Sequence, residues 1–324
     1  MFFSDPPDAT MIVPDVIRKC VVFVGYRSAD GGHHLAGTGF LVARPFVLGA
    51  NPINGTVHNS FTYLLTAKHV LDSLAHRGVD EVLIRFNYRD GIARWVSSRI
   101  ADWQYHPTEP SSVDVALFNI SGFADAGQID HGVYPIAGFA TPELIREEEI
   151  GIGEETFIVG MFVHHHGNTK NIPIVRIGNI AAMPEEQVVS GIGAIDAYLV
   201  EARSIGGLSG SPVFVNLGLL RVKGGIVEVV QMHPSVADRR AVGRIYLLGL
   251  MHGHYDEQHV NMGIGIVVPA SRILEVVNQE AILETERQAR ENHESGRLPV
   301  MDSLPDEEQS APFTQSNFER GAAR

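Results

Sequence analysis

Residues 206–214 read GGLSGSPVF. A single hydroxyl, that of Ser209, lies between glycines in a turn, and the chain then passes through a proline into an apolar run that reads as the start of a strand. Glycine is concentrated where a backbone needs positive φ or must approach another group closely. The stretch therefore reads as a shaped turn that holds Ser209 at the head of a strand and leaves backbone N–H groups free to face it.

The rest of the chain fits around a β-rich frame. From residue 18 onward, short apolar runs are broken by Gly, Asn, Asp and Pro: KCVVFVGYR, TGFLVA, TYLLTA, EVLIRF, ARWVSSRI and DVALFNI. A second series follows: ETFIVGMFV, IPIVRIGNIAAM, AIDAYLVEA, SPVFVN, GGIVEVVQM, IYLLGLM and GIGIVVP. Runs of this length, rich in Val, Ile, Phe and Tyr, read as strands of an all-β protein. Two barrels are expected, over residues 15–148 and 149–275, joined near ELIREEEIGIG, with a polar helix and a disordered acidic tail over 276–324. Helices are few: HVLDSLAH after Thr66, and SRILEVVNQEAILETERQARENH with Ser271 as its N-cap.

Composition narrows the function classes. The 324 residues are 44% hydrophobic, enough for one large core or two medium ones, and the formal net charge of −13 with no basic stripe argues against nucleic acid as a partner. No window has the length of apolar sequence that a membrane span needs, and the opening MFFSDPPDAT lacks the basic start and apolar run of a secretory signal. No membrane association and a cytoplasmic location are expected. Cys20 is the single cysteine, which precludes an intrachain disulfide, and it reads as a buried residue of its strand.

Three residue types with complementary chemistry stand at the ends of apolar runs. His69 follows YLLTA in TAKHV, Asp114 opens DVALFNI, and Ser209 lies in the glycine-rich turn. A serine hydroxyl is a weak nucleophile at neutral pH and needs an imidazole to take its proton. The imidazole in turn needs a buried carboxylate to hold its tautomer and to stabilise its positive charge.

The order His, Asp, Ser, with the segments GTGFLVA, LLTAKHV, DVALFNI, ETFIVGMF, VRIGNIAAM, GGLSGSPVF, YLLGLMHG and GIGIVVP, resembles the chymotrypsin-like (trypsin-fold) serine proteases over about residues 18–275. The similarity is greatest to the intracellular HtrA/Deg-like branch, without a PDZ module after residue 275. The resemblance implies two six-stranded antiparallel β-barrels with the site between them. By position it implies Ser209 as nucleophile, His69 as general base and then acid, and Asp114 as the orienting carboxylate. The N–H groups of Gly207 and Ser209 would form the oxyanion hole, each such donor being worth about 3–4 kcal/mol. It implies a serine endopeptidase acting on protein or peptide substrates, without a cofactor.

Departures from the family pattern carry information. Leu208 precedes the serine where zymogen-activated members place an aspartate, so activation through that ion pair is excluded. Long segments, RPFVLGANPINGTVHNSF and NLGLLRVKGGIVEVVQMHPSVADRRAVGR, stand where shorter loops are usual; with no zymogen switch, control is expected by substrate restriction, by a regulatory protein partner at these loops or the tail, or by a loop rearrangement, while the tail itself reads first as a solvated, disordered end. The resemblance implies that Arg203 stands near the floor of the primary specificity pocket, with His252 and His254 near its wall, and a cationic floor would favour an acidic residue before the scissile bond. His164 with His166, or His252 with His254, can each present two imidazoles on one strand face. No carboxylate or thiol pattern completes a tetrahedral set around either pair, so no metal is expected and FVHHHGNTKN reads as a hairpin tip with exposed imidazoles. The sequon at Asn54 is uninformative. The alternative reading is a catalytically silent or latent module of the same fold that binds a protein partner.

Overall fold

Register, more than composition, brings distant residues of this chain together. The computed structural model describes residues 13–51, 55–121, 127–202, 206–218, 220–229, 244–257 and 260–295. In the first half, β1 (Val21–Arg27), β2 (His33–Asn51), β3 (Gly55–Thr66), β4 (Glu81–Asn87), β5 (Ala93–Arg99) and β7 (Ala116–Asn119) are the longer strands. The two-residue strands β6 (Gln104–Tyr105) and β8 (Tyr134–Pro135) complete an eight-stranded sheet of order β5-β4-β1-β2-β3-β7-β6, with β8 against β2. The second half is a closed six-stranded barrel. Its strands are β9 (Glu155–Gly160), β10 (Ile174–Ala182), β13 (Tyr198–Glu201), β14 (Pro212–Asn216), β17 (Ile245–Glu257) and β18 (Val260–Pro269), and the ladder closes β14 onto β9. Two hairpins stand apart from it, β11 (Val188–Ser190) with β12 (Gly193–Ile195) and β15 (Leu220–Lys223) with β16 (Ile226–Val229). The architecture is all-β and consistent with the expected double barrel: the second half closes as a six-stranded barrel, and the first is an eight-stranded sheet carrying two very short strands beyond the expected six.

The apolar runs bury as their patterns dictate. Phe23, Val24, Phe40, Leu41, Tyr63, Leu64 and Leu65 fill the first sheet and join Phe157, Val159 and Phe214 in one continuous core. Ile158, Val200, Leu208, Val213, Val215 and Leu248 line the other side of the second barrel. Strands buried on both faces read as unbroken apolar runs because neither side meets water.

Several local expectations are corrected. The segment RPFVLGANPINGTVHNSF, expected as a loop, is largely strand, because the backbones of β2 and β3 pair from Gly39–Thr66 out to Asn51–Gly55. Beyond the short α3 (Pro142–Glu147), the single long helix is two, α4 (Ala270–Val277) and α5 (Glu280–Glu294). Asn278 closes α4 at φ −95° and ψ 8°, and its side chain accepts from Arg44. Ser271 lies inside the first turn, because Pro269 takes the N-cap position. Cys20 is buried as expected but sits between α1 (Asp15–Lys19) and β1, where burial pushes its thiol up to about 12. Of the three adjacent histidines, His164 and His165 are exposed, whereas His166 is buried with Nδ1 on the Val163 carbonyl. Arg203, Asn54 and the tail beyond Ser295 lie outside the described residues. No described helix is long and apolar enough to cross a membrane.

Candidate active site

The pairing of β3 with β7 puts Thr66 opposite Ala116, so the residues just after Thr66 and just before Ala116 meet at one end of the sheet. After Thr66 the chain enters α2 (Lys68–Ala75), whose Val70, Leu71 and Leu74 face the core and leave His69 in the first turn on the other side. The N-cap residue Ala67 has no side chain able to cap the helix. Asp114 supplies the cap from across the sheet: its Oδ1 accepts the His69 backbone N–H at 2.8 Å, and its Oδ2 accepts from His69 Nδ1 at 2.7 Å. One carboxylate thus satisfies a first-turn N–H that has no partner within the helix and fixes the imidazole with Nδ1 protonated, leaving Nε2 as the basic atom.

Asp114 is 1% exposed, between Val113 and Val115. Burial alone would raise its pKa. The two histidine partners outweigh that effect and hold the carboxyl well below its ordinary range. For His69 burial opposes the charge, yet attraction to Asp114, the hydrogen bond and the more distant Asp72 together raise its pKa above the usual 6.5.

The second half brings Ser209 to this pair. Pairing of β14 with β17 sets Pro212 against Leu250, which draws the turn before β14 alongside the strand carrying His252. Gly207 and Gly210 have φ of +96° and +84°. At Gly210 a Cβ would lie 2.1 Å from the Thr38 carbonyl oxygen and 2.4 Å from Thr66 Oγ1, so only glycine fits. Thr38, on β2 and fully buried, ties the turn to the first half: its N–H donates to the Ser209 carbonyl at 2.9 Å and its hydroxyl donates to the Gly207 carbonyl at 2.6 Å. The Gly210 N–H donates to the Met251 carbonyl at 2.8 Å. Among the described residues, the N–H groups of Gly207 and Ser209 have no acceptor, so both donors remain available beside the hydroxyl.

Ser209 Oγ donates to the His252 carbonyl at 3.2 Å; no hydrogen bond joins it to His69. His252, expected on the wall of a specificity pocket, turns its side chain inward instead, with Nδ1 donating to the same Oδ2 of Asp114 at 2.5 Å. His254 is partly exposed and pairs with Asp256 at 3.2 Å. The sequence reading missed both Thr38 and the inward role of His252. Thr38 lies in the quoted GTGFLVA, but nothing local distinguishes its hydroxyl from any other strand threonine.

His69, Asp114 and His252 bring three ligand-type atoms within 4.8 Å of one another. A tetrahedral ion with bonds of roughly 2.0–2.1 Å would hold its ligands about 3.3 Å apart. The separations of 2.7 and 2.5 Å are those of hydrogen bonds. An ion would need both Nδ1 protons removed and the side chains spread.

No protein-family model matches the chain, and no curated protein matches it significantly. Among solved structures it is similar to the MamO protease domain from Magnetospirillum magneticum (apo form), at 16% identity over 82% of this chain and 98% of that one, TM-score 0.48. It is also similar to a serine-to-alanine variant of the HtrA-type protease AlgW with a tripeptide, at 16% identity over 82% and 62% of the two chains, TM-score 0.42. A third is Deg5, at 13% identity over 80% and 88%, TM-score 0.42.

Proposed function

We propose that the chain is a serine endopeptidase that hydrolyses peptide bonds through an acyl-enzyme on Ser209. The observation that carries this reading is the buried Asp114 holding His69 by both backbone and Nδ1, beside a serine in a turn built on two positive-φ glycines. Ser209 Oγ attacks the scissile carbonyl carbon and its proton passes to His69 Nε2. The N–H groups of Gly207 and Ser209 donate to the oxyanion. The intermediate collapses, the amine leaves with the proton from His69, and water repeats the sequence in reverse to release the acid. A preference for an acidic residue before the scissile bond, through Arg203, belongs to the same proposal.

The bond from Ser209 Oγ to the His252 carbonyl favours a second reading, a latent or partner-binding module of this fold in which the hydroxyl engages His69 only on binding. Catalytic hydrogen bonds often tighten only in the substrate complex, so the two readings separate by reactivity. Purified protein is treated with a fluorophosphonate probe, beside Ser209→Ala and His69→Ala. Covalent labelling of the wild type alone, with loss of fluoride and an Oγ–P bond, is the expected result. A folded wild type that never labels would sink the peptidase reading and favour the module.

A further inference from the structure

His252 is bonded at both ends of the site. Its imidazole Nδ1 lies 2.5 Å from Asp114 Oδ2, the oxygen that also receives His69 Nδ1 at 2.7 Å. Its own carbonyl receives the Ser209 hydroxyl at 3.2 Å. The residue is 7% exposed, and its ring meets that of His69 edge-on, with centroids 5.2 Å apart and planes at 76°.

We infer that His252 is a positioning residue of this site: a second imidazole that donates to the orienting carboxylate and thereby sets the basicity of His69, an inference resting on the peptidase reading above. Two N–H donors on one carboxylate oxygen share its negative charge. Every increment of charge neutralised by His252 is withheld from a protonated His69, whose pKa is accordingly raised less than a lone buried carboxylate would raise it. Removing the His252 donor therefore raises the protonation midpoint of His69, while a neutral donor in its place preserves it. Among the described residues, the other charged or titratable groups around the pair are Lys68 and Asp72 on α2 and, further along the strand of His252, His254 with its partner Asp256. None of these donates to Asp114 in place of His252.

The test uses the full chain with ¹⁵N-labelled histidine. Wild type is expected to show two far-downfield Nδ1 protons, one lost in His69→Ala and the other in His252→Asn. In His252→Leu the His69 midpoint rises by about one pH unit, and the rate of fluorophosphonate labelling at neutral pH falls about tenfold, as loss of one bond worth about 1.4 kcal/mol implies. His252→Asn, which retains a neutral donor, holds both near wild type. A single downfield proton in the wild type, or a His69 midpoint unmoved in His252→Leu, would overturn the assignment. Equal loss in the Leu and Asn variants with an unmoved midpoint would reduce His252 to packing. Should His252→Leu not fold, the wild-type spectrum and His252→Asn decide. A wild type inert to the probe counts against the peptidase reading alone, because the imidazole titration is read without turnover.

Discussion

At the residue scale, Asp114 does three jobs with two oxygens: it caps α2, orients His69 and receives His252. The raised pKa of His69 has a kinetic sign. On the proposed reading His69 is the general base and must be neutral, so labelling is expected to fall as pH falls through the His69 value, which Asp114 places above the ordinary 6.5. The acid limb of the labelling rate against pH is expected above about 6.5, and a limb below that value would contradict the strength assigned to the pair. Gly210 gives a second expectation. An alanine there meets the Thr38 carbonyl at 2.1 Å on a backbone with φ +84°, so Gly210→Ala should cost about 3 kcal/mol by chemical denaturation and abolish probe labelling. Gly91→Ala, also at positive φ but with nothing near its Cβ, should cost about 1 kcal/mol and leave labelling intact.

At the element scale, α5 is the least expected piece. Its composition reads as a solvated polar helix, yet Ile282 and Glu286 are each 3% exposed. The Glu286 carboxylate accepts from Tyr63 Oη at 2.5 Å and Arg44 Nε at 2.8 Å, and Arg290 lies over the rings of Phe46 and Phe61. Burial and the adjacent carboxylate push the Tyr63 hydroxyl far up, keeping it a donor. Cutting one partner from a buried ionic cluster strands the others, so Glu286→Ala should destabilise the protein by about 3 kcal/mol, whereas Glu284→Ala on the exposed face should change stability by less than about 0.5 kcal/mol. Matching denaturation midpoints for the two variants would show that α5 is not docked in solution. The break between α4 and α5 has the same origin: Arg44 holds both Asn278 and Glu286, which turns α5 onto the first sheet.

At the scale of the whole molecule, the two halves are joined by polar clamps as well as by the shared core. Arg85 on β4 is 6% exposed and donates to the carbonyls of Gly167 and Asn168 at 2.8 and 2.5 Å, while Asn171 exchanges bonds with Asn87. Desolvation lowers its guanidinium to about 10 without discharging it at neutral pH. The clamp holds the segment before β10, whose Val163 comes within 3.1 Å of where a Cβ would stand on Gly207. Arg85→Met should therefore make residues 163–172 the first site of limited proteolysis and slow probe labelling severalfold, with a smaller effect on the folding midpoint. An unchanged cleavage pattern would show that the core alone seats that segment.

How much of this was legible depends on how far each interaction reaches along the chain. Strand positions, the buried Cys20 and the glycine-built turn follow from apolar patterning and backbone freedom, which act over a few neighbouring residues, whereas the candidate residues His69, Asp114 and Ser209 were picked out as a set by their resemblance in order to a known family. The inward turn of His252, the clamp from Thr38, the docking of Glu286 and the break at Asn278 were decided by tertiary structure. Each depends on a partner far away in the chain, such as Asp114 for His252 or Arg44 for Glu286, at a distance set by strand register. A polar side chain in a sequence shows what it can bond, but only the fold determines which partner burial brings within reach.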